Sequence, residues 1–310
     1  MTSEITFLGM DLFWLIAAAG GGFLGAAIGA NLAFGFTGVS ILLGLGVLAA
    51  TGNTIIIDYV AFGPVFGPHI AFAGGVAAAA YAAKQGKLAD TGGGKDLNTA
   101  MAGFGNPEAL LVGAGFGVLG YIVQNLIAQI PWFGGHTDSV ALTVMLSGIL
   151  ARVLFGKTGV VSWISNPTAD HCWVPWQQEP KQYLVFGLLA GIFGAGTAVA
   201  VAVAFPELAD VAQILPFAIS ALCIIIISFG VTVPVTHHMT IIAGLAGVKF
   251  MTAFGLSPLV AMIIGVAFGV FAAWLAEIMN RAFHAKGDTH IDPPAAAIWI
   301  STLIILSIAG

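Results

Sequence analysis

Ten apolar runs separated by short polar joints decide what this chain can become. They fall at residues 10–34, 39–62, 68–83, 108–130, 139–155, 183–205, 210–229, 236–250, 258–283 and 293–309, two of them short. A helix needs about 20 mostly apolar residues to cross the hydrocarbon of a bilayer. Backbone polar groups inside lipid must also be satisfied within the protein, which leaves helices as the natural reading. The expected fold is therefore an all-α polytopic membrane protein of about ten transmembrane segments. Of the 310 residues, 59% are hydrophobic and 7% charged, whereas a soluble domain carries about a quarter charged. That balance excludes an ordinary soluble enzyme and a disordered chain, and no basic face exists for nucleic acid. Cys172 and Cys223 make no disulfide framework.

Charge sets direction. With ten crossings, Lys84, Lys87, Lys95, Arg152, Lys157, Lys181, Arg281 and Lys286 fall on one side and Lys249 on the other. The positive-inside tendency makes the first side cytoplasmic and the N-terminus external, as in a plasma (inner) membrane protein. Glu4 and Asp11 flank the first run where a signal peptide would carry Lys or Arg, so it reads as a retained span. Trp163, Trp173 and Trp176 in the central loop suit the headgroup level. Gly92-Gly93-Gly94-Lys95 lacks the full spacing of a phosphate loop, and Asp96 follows the lysine. Residues 84–106 therefore read as a flexible linker.

The chain resembles itself. Ala114-Gly115-Phe116-Gly117-Val118-Leu119 matches Val266-Ala267-Phe268-Gly269-Val270-Phe271 at an offset of 152, and His136-Thr137-Asp138 matches His290-Ile291-Asp292 at 154. Pro64-Val65-Phe66-Gly67-Pro68-His69 aligns with Pro234-Val235-Thr236-His237-His238-Met239 at 170. Five crossings per copy would insert the second copy upside down. The expected organisation is a first repeat at 1–156, a cytoplasmic linker at 157–182 and a second, inverted repeat at 183–310. Inverted repeats offer one central site to both membrane faces.

Both copies carry a helix break, at Gly63-Pro64-Val65-Phe66-Gly67-Pro68 and at Gly230-Val231-Thr232-Val233-Pro234. Such breaks leave helix N-termini that favour an anion, a carboxylate or a carbonyl oxygen. His69, His237 and His238 follow them and are candidate substrate-binding residues; the alternative is tight surface turns with interfacial histidines. Asp58, Asn125 and Glu277 join them as polar residues in apolar runs, which are costly in lipid without a partner or a cavity. His136, Asp138, His290 and Asp292 admit two readings. Asp138-Ser139 and Asp292-Pro293 look like helix N-caps; alternatively each His-x-Asp pair forms a gate or binds a divalent metal. Asp170-His171-Cys172 is a further ligand-capable group. Glycine patterns such as Gly21-x-x-x-Gly25-x-x-x-Gly29 suit close helix packing, or a homo-oligomer interface.

Gly35-Phe36-Thr37-Gly38 and the apolar glycine-rich helix after it resemble a short segment of urea transporters. The resemblance implies two five-span inverted halves; that family's longer proline-containing signature is absent, so no residue role is carried over. The functional expectation is a transporter or channel for a small polar solute or ion, with proton coupling through His and Asp58. The alternatives are a divalent-cation carrier using His and Asp, and a membrane-embedded metal-dependent enzyme. No cofactor is identified by the sequence.

Overall fold

A computed structural model describes residues 6–7, 10–165, 174 and 179–310. Glu4, Asp170, His171, Cys172, Trp173 and Trp176 lie outside the described residues. Among the described residues the fold is all-α apart from a small hairpin pairing Thr6–Phe7 with Met10–Asp11 and an isolated parallel bridge between Gly94 and Thr289.

The helices start where capping chemistry dictates. Asp11 accepts from the Phe13 N–H at α1 (Leu12–Ile28), and α2 runs over Ala30–Thr51. After an interrupted stretch come α3 (Ala73–Lys84) and α4 (Pro107–Ala128), the latter capped by Asn106. A short α5 (Phe133–His136) precedes α6 (Ser139–Phe155), capped by Asp138. Glu179 caps α7 (Pro180–Ala204), which is followed by α8 (Ile214–Ile227) and α9 (His237–Phe254). Ser257 caps α10 (Pro258–Met279), and Asp292 caps α11 (Pro293–Ala309). In α4, α7, α10 and α11 a proline stands at the first turn, where its missing N–H costs nothing.

Among the described residues four helices are long and apolar enough to cross a membrane: α2, α4, α7, and α10 with its π-helical extension to His284; α1, α6, α8 and α11 are apolar and shorter. The chain is a membrane protein. The expected first run, 10–34, is in fact divided. Gly29 has φ 95°, donates its N–H to the Gly25 carbonyl and ends α1, so α2 occupies Ala30–Thr51 rather than 39–62. Apolar residues flank Gly29 on both sides, so hydropathy carries no trace of the break.

After α2 the chain folds back along it. Gly44 meets Ile57, Thr37 Oγ1 donates to the Phe66 carbonyl at 2.7 Å, and the rings of Phe34 and Phe72 lie 5.8 Å apart. The returning arm has two π-helical turns, Ile57–Ala61 and Pro68–Phe72, on either side of the predicted proline break, and continues as α3. The second break is also present: φ is 78° at Gly230, and residues 231–236 are non-helical. α1 packs on α4 and α3, and α7 packs on α10 and α9. Between these groups α2 lies against α8, and α6 against α11.

Candidate functional site

Two breaks and two caps place helix starts part-way along their neighbours. The carbonyls of Pro64 and Val65 pack on Gly21, in the middle of α1, so the helical arm from Pro68 begins at that depth. Thr240 packs on Gly194, well inside α7, which puts the start of α9 at a similar depth. α6 and α11 begin beside each other's middles. His290 lies against Gly148, Trp299 Nε1 donates to Met145 Sδ at 3.3 Å, and Thr137 Oγ1 donates to the Trp299 carbonyl.

Pro68, Asp138, His237 and Asp292, at these four starts, all line one cavity of about 320 Å³. Its walls are mostly apolar, including Phe34, Phe72 and Phe217. Two starts are capped from within: Asp138 accepts the Ala141 N–H at 2.8 Å, and Asp292 accepts the Ala295 N–H at 2.7 Å. The other two, at Pro68 and His237, have no side-chain cap. His237 is buried, its ring lies tilted 4.8 Å from that of Phe34, and it has a buried Nδ1 without a hydrogen bond.

The structure sorts the sequence candidates. Asp138, His237, His290 and Asp292 all line the cavity. Both aspartates are N-caps. His69 and His238 are buried but do not line the cavity. Asp58 is exposed and accepts from Thr54 Oγ1 at 2.6 Å. Asn125 donates to the Tyr121 carbonyl at 2.8 Å, and buried Glu277 pairs with Arg281 at 2.7 Å. His136 stacks on Trp132, 4.6 Å between centroids. None of these last four lines the cavity. Both ring nitrogens of His290 are engaged, by His284 and Asp292, and no group of three His, Cys, Asp or Glu fit to hold a metal forms among the described residues.

A family model described as "Family of unknown function (DUF7973)" matches residues 4–166 and again 157–310. The chain belongs to DUF7973. No curated protein and no solved structure matches it.

In this DUF7973 chain the segment read as a flexible linker is an ordered lid. The Gly94 carbonyl accepts the His290 N–H at 3.1 Å, and the Leu97 carbonyl accepts the Asn31 N–H at 3.0 Å. Asp96 accepts from the N–H groups of Asn98 and Thr99, and Lys95 Nζ donates to the Ala285 carbonyl at 3.1 Å. Lys95, Asp96 and Asn98 thereby join the cavity wall, as does His284. The sequence reading missed all of these. The available signal was the spacing His284-x5-His290-x-Asp292.

Burial pushes the Lys95 ammonium down from an ordinary 10.5 to about 8; Arg152 lowers it further and Asp288 opposes the shift. The folded chain thus binds this proton more weakly than the unfolded chain does. The cost is present in full below about pH 8 and is relieved as pH climbs toward 10.5. Thermal unfolding in detergent should therefore show the wild type gaining stability relative to Lys95→Met across that window. Parallel curves for the two proteins would mean that Lys95 sits in water.

Proposed function

We propose that this chain is an integral membrane transporter or channel for a small polar solute or ion, and that the cavity is its central site. The observation that carries this reading is the meeting of four helix starts at one cavity, part-way along the helices around them. Interrupted backbone within a bilayer is tolerated only where protein or an aqueous cavity satisfies it. A helix N-terminus turned into such a cavity favours an anion, a carboxylate or a carbonyl oxygen. Two of the four are capped by their own aspartates; the starts at Pro68 and His237 have no side-chain cap, and His237 is the solute's first contact in this reading.

The architecture behind this reading is two inverted five-span repeats, 1–156 and 183–310, around the segment 157–182, with the N-terminus external. Antiparallel packing at two central contacts supports it. Gly35 meets Ile225 while Gly38 meets Ala218 and Ala221, so α2 and α8 run in opposite directions. Met145 touches Trp299, which is its own counterpart at the offset separating the two His-x-Asp motifs. A pseudo-two-fold axis across the helices brings such self-counterparts together. Gly25 on Ala71 corresponds to Gly194 on Thr240, so the register is one residue tighter than the motif alignment and pairs His69 with His238.

Purified protein in proteoliposomes should admit members of a panel of small polar solutes faster than empty vesicles do. Ala141→Trp, which fills part of the cavity, should return that flux to the level of empty vesicles. Wild-type vesicles no leakier than empty ones across the panel would defeat the proposal; an unchanged rate in A141W would move the site elsewhere.

A further inference from the structure

Three side chains at the edge of the cavity form a row. His284 ends a π-helical turn, Asn280–His284, and its Nε2 lies 3.2 Å from His290 Nδ1. His290 Nε2 lies 2.9 Å from Asp292 Oδ1, while Asp292 Oδ2 caps α11. His284 Nδ1 is buried with no hydrogen bond, and all three residues line the cavity. Donor and acceptor chemistry fixes the hydrogens. A carboxylate only accepts, so His290 carries its hydrogen on Nε2. In the neutral ring Nδ1 is then a lone pair, which accepts from His284 Nε2–H. His284 Nδ1 is left as a bare base at the end of the row.

We propose that His284, His290 and Asp292 form a proton-binding site beside the cavity that takes up a single proton and supplies the coupling ion of the transport reading above, on which that coupling role rests. The proton adds at His284 Nδ1 while the Nε2 proton of His284 passes to His290 Nδ1. His284 ends neutral in its other tautomer. His290 becomes an imidazolium, its Nε2–H facing the Asp292 carboxylate in a charge-assisted hydrogen bond. One N–H bond forms at each ring, one breaks at His284, and the row gains one positive charge; release reverses each step.

The surroundings favour storage on His290 over storage at the point of entry. A charge kept on His284 would face Lys95 of the lid and Arg152 of α6. Asp288 is turned away toward Arg152, at 3.8 Å. Asp96 of the lid, Asp138 at the start of α6 and His237 at the start of α9 share the cavity wall. The interrupted arm presents the uncharged Phe72 ring, 6.0 Å from the His290 ring; His69 on that arm does not line the cavity.

The test is solid-state NMR of ¹⁵N-histidine-labelled protein in liposomes, titrated across about pH 8 to 5, where imidazole ordinarily titrates. In the wild type, the two rings should change in one step. His284 should exchange tautomer without becoming doubly protonated, and His290 should become doubly protonated. Asp292→Asn keeps an N-cap oxygen but removes the charge, and should move the joint step to lower pH. His290→Gln should abolish the tautomer exchange at His284. Double protonation of His284, separate steps for the two rings, no change at either ring, or an unmoved midpoint in D292N would each overturn the site. Where a variant does not fold, the wild-type tautomer pattern decides alone. No solute is needed, so titration without flux removes the transport reading and leaves the proton site, and flux without titration does the reverse.

Discussion

Arg152→Met should destabilise the protein by about 3–5 kcal/mol, the range for stripping one partner from a buried charged network. The Arg152 side chain is fully buried, yet it comes from the last turn of α6 and reaches across to the segment before α11. Its Nε donates to Thr289 Oγ1 at 2.6 Å, its Nη2 to the Thr289 carbonyl, and its Nη1 to the carbonyls of Gly159 and Phe283, each at 3.2 Å. Methionine fills comparable volume but leaves these acceptors in the interior without donors, which is costly where water cannot replace them. Lysine is no substitute, because one ammonium cannot span the fork that a planar guanidinium covers. A Cβ on Gly287 would collide with the guanidinium, so Gly287→Ala should reproduce part of the loss. Thermal midpoints in detergent for R152M, R152K and G287A check this. An R152M midpoint equal to the wild-type value would mean that the segment holding His284 and His290 is secured by something else.

Much of the site was legible in the sequence because its makers are local. Proline and glycine announced both helix breaks, and Asp138 and Asp292 announced the helix starts they cap. A polar residue in an apolar run needs a partner or a cavity, and the partner can be local. Asp58, Asn125 and Glu277 each find a partner four residues away in the chain: Thr54, the Tyr121 carbonyl and Arg281. Two of those partners are visible as i±4 side-chain pairs in the sequence, Thr54 with Asp58 and Glu277 with Arg281. A search for such pairs should precede any inference of a cavity. The lid was illegible for another reason. Gly92-Gly93-Gly94 has the composition of a linker, and what orders it is long-range: the Gly94 carbonyl on His290, Lys95 on Ala285, Leu97 on Asn31. Gly29 read only as a packing glycine, because a positive φ leaves no mark on hydropathy.

The glycines of α4 offer the sharpest contrast in sign. Gly120 faces the interrupted arm so closely that an added Cβ would fall on the carbonyl oxygen of His69. That oxygen belongs to backbone in the π-helical turn Pro68–Phe72, so it cannot swing aside as a side-chain tip would. Overpacking a core ordinarily costs about 1–3 kcal/mol; with rigid backbone as the obstacle, Gly120→Ala should lie at the top of that range or above. Gly115, on the same helix, has nothing within 4 Å of its added Cβ. There alanine removes the roughly 1 kcal/mol helix penalty of glycine, so Gly115→Ala should be neutral or slightly stabilising. Folded yield and thermal midpoint of the two variants measure the difference directly. G120A also carries a functional consequence: relief of the clash requires the arm to move, and the arm bears Pro68 and Phe72 in the cavity wall. Any G120A protein that does fold should therefore lose solute flux before it loses helix content, while G115A keeps both. Equal behaviour of the two variants would mean that α4 does not press on the broken arm, and the depth at which that arm starts would lose its physical basis.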